Sequence, residues 1–173
     1  MSCVCTKFPK PNELEPFYGK ISVGDDGLPT SQWKRTFLTQ ISLPYVMRLS
    51  WNKTITVNKL TCHKEVASSL QSILGSILDL YGSRDAIKAA RMDLFGGCYN
   101  FRTVRGGHTL SMHAYGAAID LDPEKNPRDK PWKANSGMMP VEVIEIFKDH
   151  GWAWGGDFKS RPDCMHFEGV DRS

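Results

Sequence analysis

The sequence lacks any long apolar run. No stretch of its 173 residues approaches the ~20 consecutive apolar positions of a membrane-spanning helix, so no stable membrane insertion is expected. The opening MSCVCTKFPKPNELEP also lacks the apolar core of a secretion signal, and Pro9, Pro11 and Pro16 are expected to break any helix there. The expectation is synthesis in the cytoplasm, with delivery by other means if the substrate lies beyond the membrane. A basic block is missing too. Formal net charge is +3, and the 22 Lys and Arg are interspersed with 19 Asp and Glu. A nucleic-acid binder concentrates its cations on one face or run, so no nucleic-acid partner is expected. Mild positive charge favours association with an anionic polymer but decides nothing by itself. Cysteines are few and odd in number: Cys3, Cys5, Cys62, Cys98 and Cys164. That argues against a disulfide framework. Free thiols are expected, and the Cys3–Cys5 pair supplies at best half a metal site.

What is present fits one ordinary globular domain, with 40% hydrophobic and 24% charged residues. Residues 1–40 are rich in Pro, Gly and polar side chains and read as an irregular leader, which leaves 41–173 as the domain. Tyr45, Met47, Leu49 and Trp51 alternate with polar neighbours as in a strand. Asn52-Lys53 is the expected turn into a second strand carrying Ile55 and Val57. Val66, Leu70, Ile73, Leu74, Ile77, Leu78 and Tyr81 follow helical spacing, with Gly82 placed to terminate the helix. A shorter helix is expected over Arg84–Arg91, and another from Pro140 through Phe147 to Gly151. Residues 96–122 and 151–170 have the texture of short strands joined by tight loops. The expected class is α+β.

Chemistry concentrates in two segments. In Ser111-Met112-His113-Ala114-Tyr115-Gly116-Ala117-Ala118-Ile119-Asp120, a histidine precedes by seven residues an aspartate on an apolar strand. Period-two alternation sends Ala118, Asp120 and Asp122 one way and Ala117, Ile119 and Leu121 to the core. In Asp163-Cys164-Met165-His166-Phe167-Glu168, a strand would put Cys164, His166 and Glu168 on the face opposite Met165 and Phe167. His113, Asp120 and His166 are therefore the candidate ligands of one Zn²⁺ per chain. Two imidazoles and one carboxylate leave a fourth position open for water, as in catalytic zinc sites. A nearby carboxylate must relay a proton. Asp163 is the candidate, provided that it sits in the turn before the strand. Glu168 either steadies a ligand from behind or is solvated. Cys164 is expected to be a small neighbour of the site, His63 and His150 structural or exposed, and His108 a loop residue.

The two segments resemble the paired signatures of the D-Ala-D-Ala carboxypeptidase and L-alanyl-D-glutamate endopeptidase family of zinc peptidases. Ser111, His113, Gly116, Ala118 and Asp120 satisfy S-x-H-x-x-G-x-A-x-D. Trp154-Gly155-Gly156-Asp157 precedes the acid Asp163 and His166. The resemblance covers residues 95–170 and extends back through the long helix. Asp rather than Glu at the acid position is similar to the endopeptidase branch, which includes phage endolysins. The resemblance implies a hedgehog-type α+β fold in which a small antiparallel sheet carries the zinc. It implies a monomeric zinc peptidase domain over 41–173 acting on the stem peptide of peptidoglycan. It also implies action on the cell wall after release from the host or delivery on a virion. An arginine that stabilises an oxyanion is part of the pattern; Arg102 is the candidate and Arg105 the reserve, although many relatives place theirs farther ahead of the first His. Ser111, Trp154 and Asp157 are candidate substrate contacts. A carboxypeptidase or dipeptidase acting on terminal D-Ala-D-Ala is the nearest rival, and a non-catalytic zinc module that binds cell wall or protein is the rival of another class.

Overall fold

A computed structural model describes residues 6–173; the Cys3–Cys5 pair lies outside the described residues. Alternating apolar positions build the first large element, an antiparallel hairpin of β1 (Leu38–Leu49) and β2 (Asn52–His63). Leu49 pairs with Asn52, so the turn is Ser50-Trp51 rather than the expected Asn52-Lys53. The cause is local. Asn52 Oδ1 accepts from the Thr54 amide (3.2 Å) and hydroxyl (2.7 Å), which fixes Asn52 at the start of β2. The strands also start earlier than expected, and the register shift between Ser42 and Met47 accommodates Pro44, which cannot donate to the ladder.

The chain passes directly from β2 into α3 (Lys64–Tyr81). His63 caps this helix, its Nδ1 accepting from the Glu65 amide at 3.1 Å, and Gly82 ends it in the left-handed region at φ 69°. The expected stripe is buried: Val66, Leu70, Ile73, Leu74 and Ile77 are fully enclosed. Burial of such side chains contributes roughly 1.5–3 kcal/mol each. After α4 (Arg84–Ala89) the chain returns to the sheet as β3 (Leu94–Gly97), followed by α5 (Met112–Tyr115), β4 (Ala118–Leu121), α6 (Val141–Asp149), β5 (Ala153–Trp154), a 3-10 turn (Gly155–Asp157) and β6 (His166–Glu168).

The α+β class is as expected, but the sheet is neither small nor purely antiparallel. It has six strands in the order β2-β1-β3-β4-β6-β5, and β3 pairs parallel to β1. The reason is topological. β2 occupies one side of β1, so α3 and α4 carry the chain across to its other side, the crossover that a parallel pair requires. The leader differs as well, because it contains α1 (Leu14–Tyr18) and α2 (Ser31–Phe37). Pro16 lies in the first turn of α1, where its missing amide costs no helical bond. Phe8, Tyr18 and Trp33 are buried. The Tyr18 hydroxyl donates to Gly169 O at 2.5 Å, and His63 Nε2–H donates to Tyr18 O at 3.0 Å, so the segment is tied to the core at both ends of the sequence.

Candidate metal centre and cleft

The first signature is one helical turn, a reversal and a strand. Ser111 caps α5, its hydroxyl accepting from the His113 amide (3.3 Å). Gly116 then reverses the chain at φ 72°. A Cβ on Gly116 would come within 3.0 Å of the His63 amide nitrogen, so glycine is required for space as well as conformation. β4 follows and sets Asp120 beneath His113. β6 runs antiparallel beside it, with Asp120 opposite His166 and the small Ala118 opposite Glu168. β6 begins only at His166; Cys164 and Met165 form the preceding turn. Asp122, expected to share the Asp120 face, lies beyond β4 and pairs with Arg91 through both carboxylate oxygens at 2.7 Å.

Three ligand atoms meet. His113 Nε2 lies 3.2 Å from Asp120 Oδ1 and 3.1 Å from His166 Nδ1, and His166 Nδ1 lies 3.0 Å from Asp120 Oδ1. Among the described residues, this trio is the group able to hold a metal. Partners on the far side of each ring decide what the inner atoms offer. His113 Nδ1–H donates to Cys98 O at 2.7 Å, and His166 Nε2–H donates to Glu168 Oε2 at 3.0 Å. Each ring thus turns its remaining nitrogen inward, toward a carboxylate oxygen, where it can take either a metal ion or a proton. Three lone pairs crowded together repel unless a cation lies between them. Tetrahedral ligands at 2.0–2.1 Å from zinc stand about 3.3 Å apart, so the donor set fits that ion in chemistry and in size.

A proton is the competing occupant. Burial disfavours a charged His166, but hydrogen bonds to Asp120 and Glu168 outweigh it and push its pKa up to about 10. Burial likewise opposes charge on Asp120, yet hydrogen bonds from His113 and His166 hold its carboxyl well below the usual carboxylate range. Glu168 is lowered in the same way: burial is overcome by His166 and then by Arg172, whose Nε donates to Glu168 Oε1. Of the two readings of Glu168 made from sequence, the solvated one does not hold, because the side chain is buried behind the His166 ring.

Asp163 occupies the turn before β6. Its carbonyl accepts from the His166 amide (3.0 Å) and its own amide donates to Gly155 O (2.8 Å). A Cβ on Gly155 would lie 2.4 Å from the Asp163 carbonyl oxygen, which explains the first glycine of Trp154-Gly155-Gly156-Asp157. Asp163 Oδ1 is buried with no hydrogen-bond partner among the described residues. Burial pushes the carboxyl pKa up, partly offset by His166.

Asp163 and His166 line a cleft of ≈ 1500 Å³ that also takes in Arg102, Arg105, Ser111 and Trp154. Arg102 is half-buried and donates to Thr103 O at 3.2 Å; Arg105 is exposed. Among the described residues, no hydrogen bond joins either to the trio. Trp154 forms part of the wall, its indole N–H bonded to Cys164 O at 3.0 Å. Asp157 lines the cleft and pairs with Lys148 at 2.7 Å. Cys164 points its thiol at Lys130 O, 3.5 Å away. His150 is structural, bonded to Ile146 O and Ser72 Oγ, and His108 is exposed. Two contributors escaped the sequence reading. Cys98 acts through its backbone carbonyl, which no side-chain pattern signals. Arg128 lines the cleft and acts electrostatically on Asp163, but it follows the first His, whereas the family pattern places its arginine ahead of that residue.

Residues 105–169 match the family described as D-alanyl-D-alanine carboxypeptidase. The resemblance to the D-Ala-D-Ala carboxypeptidase and L-alanyl-D-glutamate endopeptidase family of zinc peptidases is thereby borne out over the segment that carries the site. Over 70 residues the chain is 39% identical to the peptidoglycan L-alanyl-D-glutamate endopeptidase CwlK of Bacillus subtilis (strain 168), a match covering 37% of this chain and 41% of that protein. The chain thus spans less than half the length of this curated relative. No solved structure matches the chain.

Proposed function

We propose that this chain is a zinc-dependent peptidase that hydrolyses the stem peptide of peptidoglycan between L-Ala and D-Glu. One observation carries the reading: three ligand atoms, one each from His113, Asp120 and His166, converge beside a buried carboxyl that has an unpartnered oxygen, next to an open cleft. The activity named for CwlK supports the choice of bond.

Held by His113, Asp120 and His166, zinc would supply Lewis acidity toward the scissile carbonyl and an acidified water. Asp163 accepts the proton of the attacking water and returns it to the departing amine. Its raised pKa suits a group that must hold the proton between those events, and the two backbone bonds of its turn keep it in place. Glu168 fixes the His166 tautomer. Arg102, half-buried in the cleft, is the preferred partner for the developing oxyanion, a role worth roughly 3–4 kcal/mol for one well-placed donor, and Arg105 is the reserve. Ser111, Trp154 and Asp157 contact the peptide along the cleft. The monomer acts on the wall after release or virion delivery, as endolysins do.

Metal analysis combined with mass spectrometry of digested cell walls tests this. One zinc per chain and new D-Glu amino termini are expected. The family description favours a second reading, a D-Ala-D-Ala carboxypeptidase, and released D-Ala would select it. Zinc without any hydrolysis product would leave a binding module.

A further inference from the structure

Folding sorts the charges. Nine of the 22 Lys and Arg line the cleft, against four of the 19 Asp and Glu. The rest of the molecule is left with more acids than bases. Several of the cleft cations are already neutralised: Lys148 pairs with Asp157, Arg161 with Asp129, and Arg172 with Glu168. Arg128 is different. It is half-buried and makes no ion pair among the described residues, although its charge acts on Asp163.

The loop holding Arg128 is anchored on both flanks. On one side the Asn126 amide group donates to Asp122 O (3.0 Å), and its Oδ1 accepts from the Met139 amide (2.6 Å). On the other side, Asp129 takes a left-handed conformation at φ 63°. Its amide donates to Pro162 O (2.8 Å), and its carboxylate receives two bonds from Arg161 at 2.9 and 2.8 Å. Residues 126–129 are thus tied to the segment that delivers Asp163. A guanidinium that makes no ion pair among the described residues, on an anchored loop where its charge reaches Asp129 and Asp163, matches a planar two-oxygen anion.

We propose that Arg128 is a specificity residue that pairs with a free carboxylate of the peptide next to the scissile bond, so that the cleft selects acidic over neutralised peptides. The inference rests on the peptidase reading above. In that substrate, D-Glu continues the chain through its side-chain carboxyl, so its α-carboxylate is the group available to Arg128. Amidation of that carboxylate removes both the charge and one acceptor.

The test uses the zinc-loaded protein with two stem peptides, α-carboxylate free or amidated, and with the two matching product peptides that begin at D-Glu. Wild type should favour the free carboxylate by roughly tenfold or more in KM. Arg128→Ala should raise KM for that peptide roughly ten- to hundredfold, change kcat little, retain zinc and lose the preference. Arg128→Lys should recover only part of it, and Lys59→Ala, an exposed cation away from the cleft, should change nothing. Calorimetry with the product peptides reads the same preference without turnover, so a protein that cuts neither substrate but still discriminates the products would overturn the peptidase reading and keep this one. Equal binding of the two product peptides, or equal weakening of both by Arg128→Ala, would overturn the inference alone. It would also fall if a poly(glycerol phosphate) chain bound more tightly than either peptide and lost equal affinity in Arg128→Ala and Lys159→Ala, because the cleft would then be a track for a polyanion.

Discussion

His113 and His166 each use one ring nitrogen for the trio and the other for a partner that sets the tautomer, Cys98 O in one case and Glu168 in the other. Removing an outer partner should therefore weaken the metal without deleting a ligand. Glu168→Ala is expected to lower zinc affinity about 10–100-fold, read by chelator competition; unaltered affinity would reduce Glu168 to a bystander. Asp163→Ala is expected to keep zinc but lose hydrolysis by roughly 10²–10⁴-fold, whereas His113→Ala should lose both. Zinc content and peptide cleavage measured on the same samples separate these outcomes, and undiminished cleavage by Asp163→Ala would remove the proposed proton relay. At this scale the side chains of the trio were legible in sequence from residue type and spacing. Cys98 was not, because what it contributes is a main-chain oxygen.

Elements deliver these residues through close backbone approach. Gly155 makes the closest approach of a glycine to backbone, since an added Cβ would press on both the Asp163 carbonyl and His166 Cβ. Gly155→Ala should lower Tm and weaken zinc binding together; a variant with both unchanged would show that the turn tolerates displacement. His63 joins three elements, capping α3 through Nδ1 and holding α1 through Nε2–H. The cap requires the neutral ring, because Nδ1 must accept, whereas the Nε2–H bond to Tyr18 survives protonation. Burial lowers its pKa below the ordinary 6.5, partly opposed by the bond to Tyr18. The unfolded chain therefore protonates first, so this contribution is present above about pH 6.5 and is lost as pH falls through the folded value. His63→Asn retains an acceptor for the cap but cannot titrate. Tm measured from pH 8 to pH 5 should fall less steeply in His63→Asn than in wild type, and parallel slopes would contradict the argument. Helix α3 was legible because its stripe and terminating glycine are local signals. The hairpin turn was misplaced because Asn52 could serve either as a turn residue or as the first residue of β2, and its bonds to Thr54 decide between them. In the leader, Pro16 reads as a helix breaker, whereas its first-turn position in α1 accepts it; α2, at seven residues, is too short to show a helical stripe.

The whole molecule carries a charge asymmetry that its net charge of +3 conceals. A cleft whose charged lining is mainly cationic should draw anionic polymers by a long-range, screened attraction. Turnover of intact walls is expected to fall several-fold between roughly 20 and 300 mM salt, while cleavage of a short amidated peptide changes little. Equal salt sensitivity of the two would deny the cleft its steering role.

By itself the sequence determined the local events: which residues alternate, which follow helical spacing, where Gly82 ends the long helix, and which side chains are chemically fit to hold a metal. Those depend on neighbours within a few residues, so they are written in order along the chain. Only the tertiary structure decided that β4 and β6 set Asp120 opposite His166, that Glu168 stands behind that ring, and that β3 joins β1 in parallel. Only it gathered interspersed Lys and Arg around one cleft and left Arg128 there unpaired. Contacts between distant segments are chosen by the packing of whole elements, and no spacing rule within either segment encodes them.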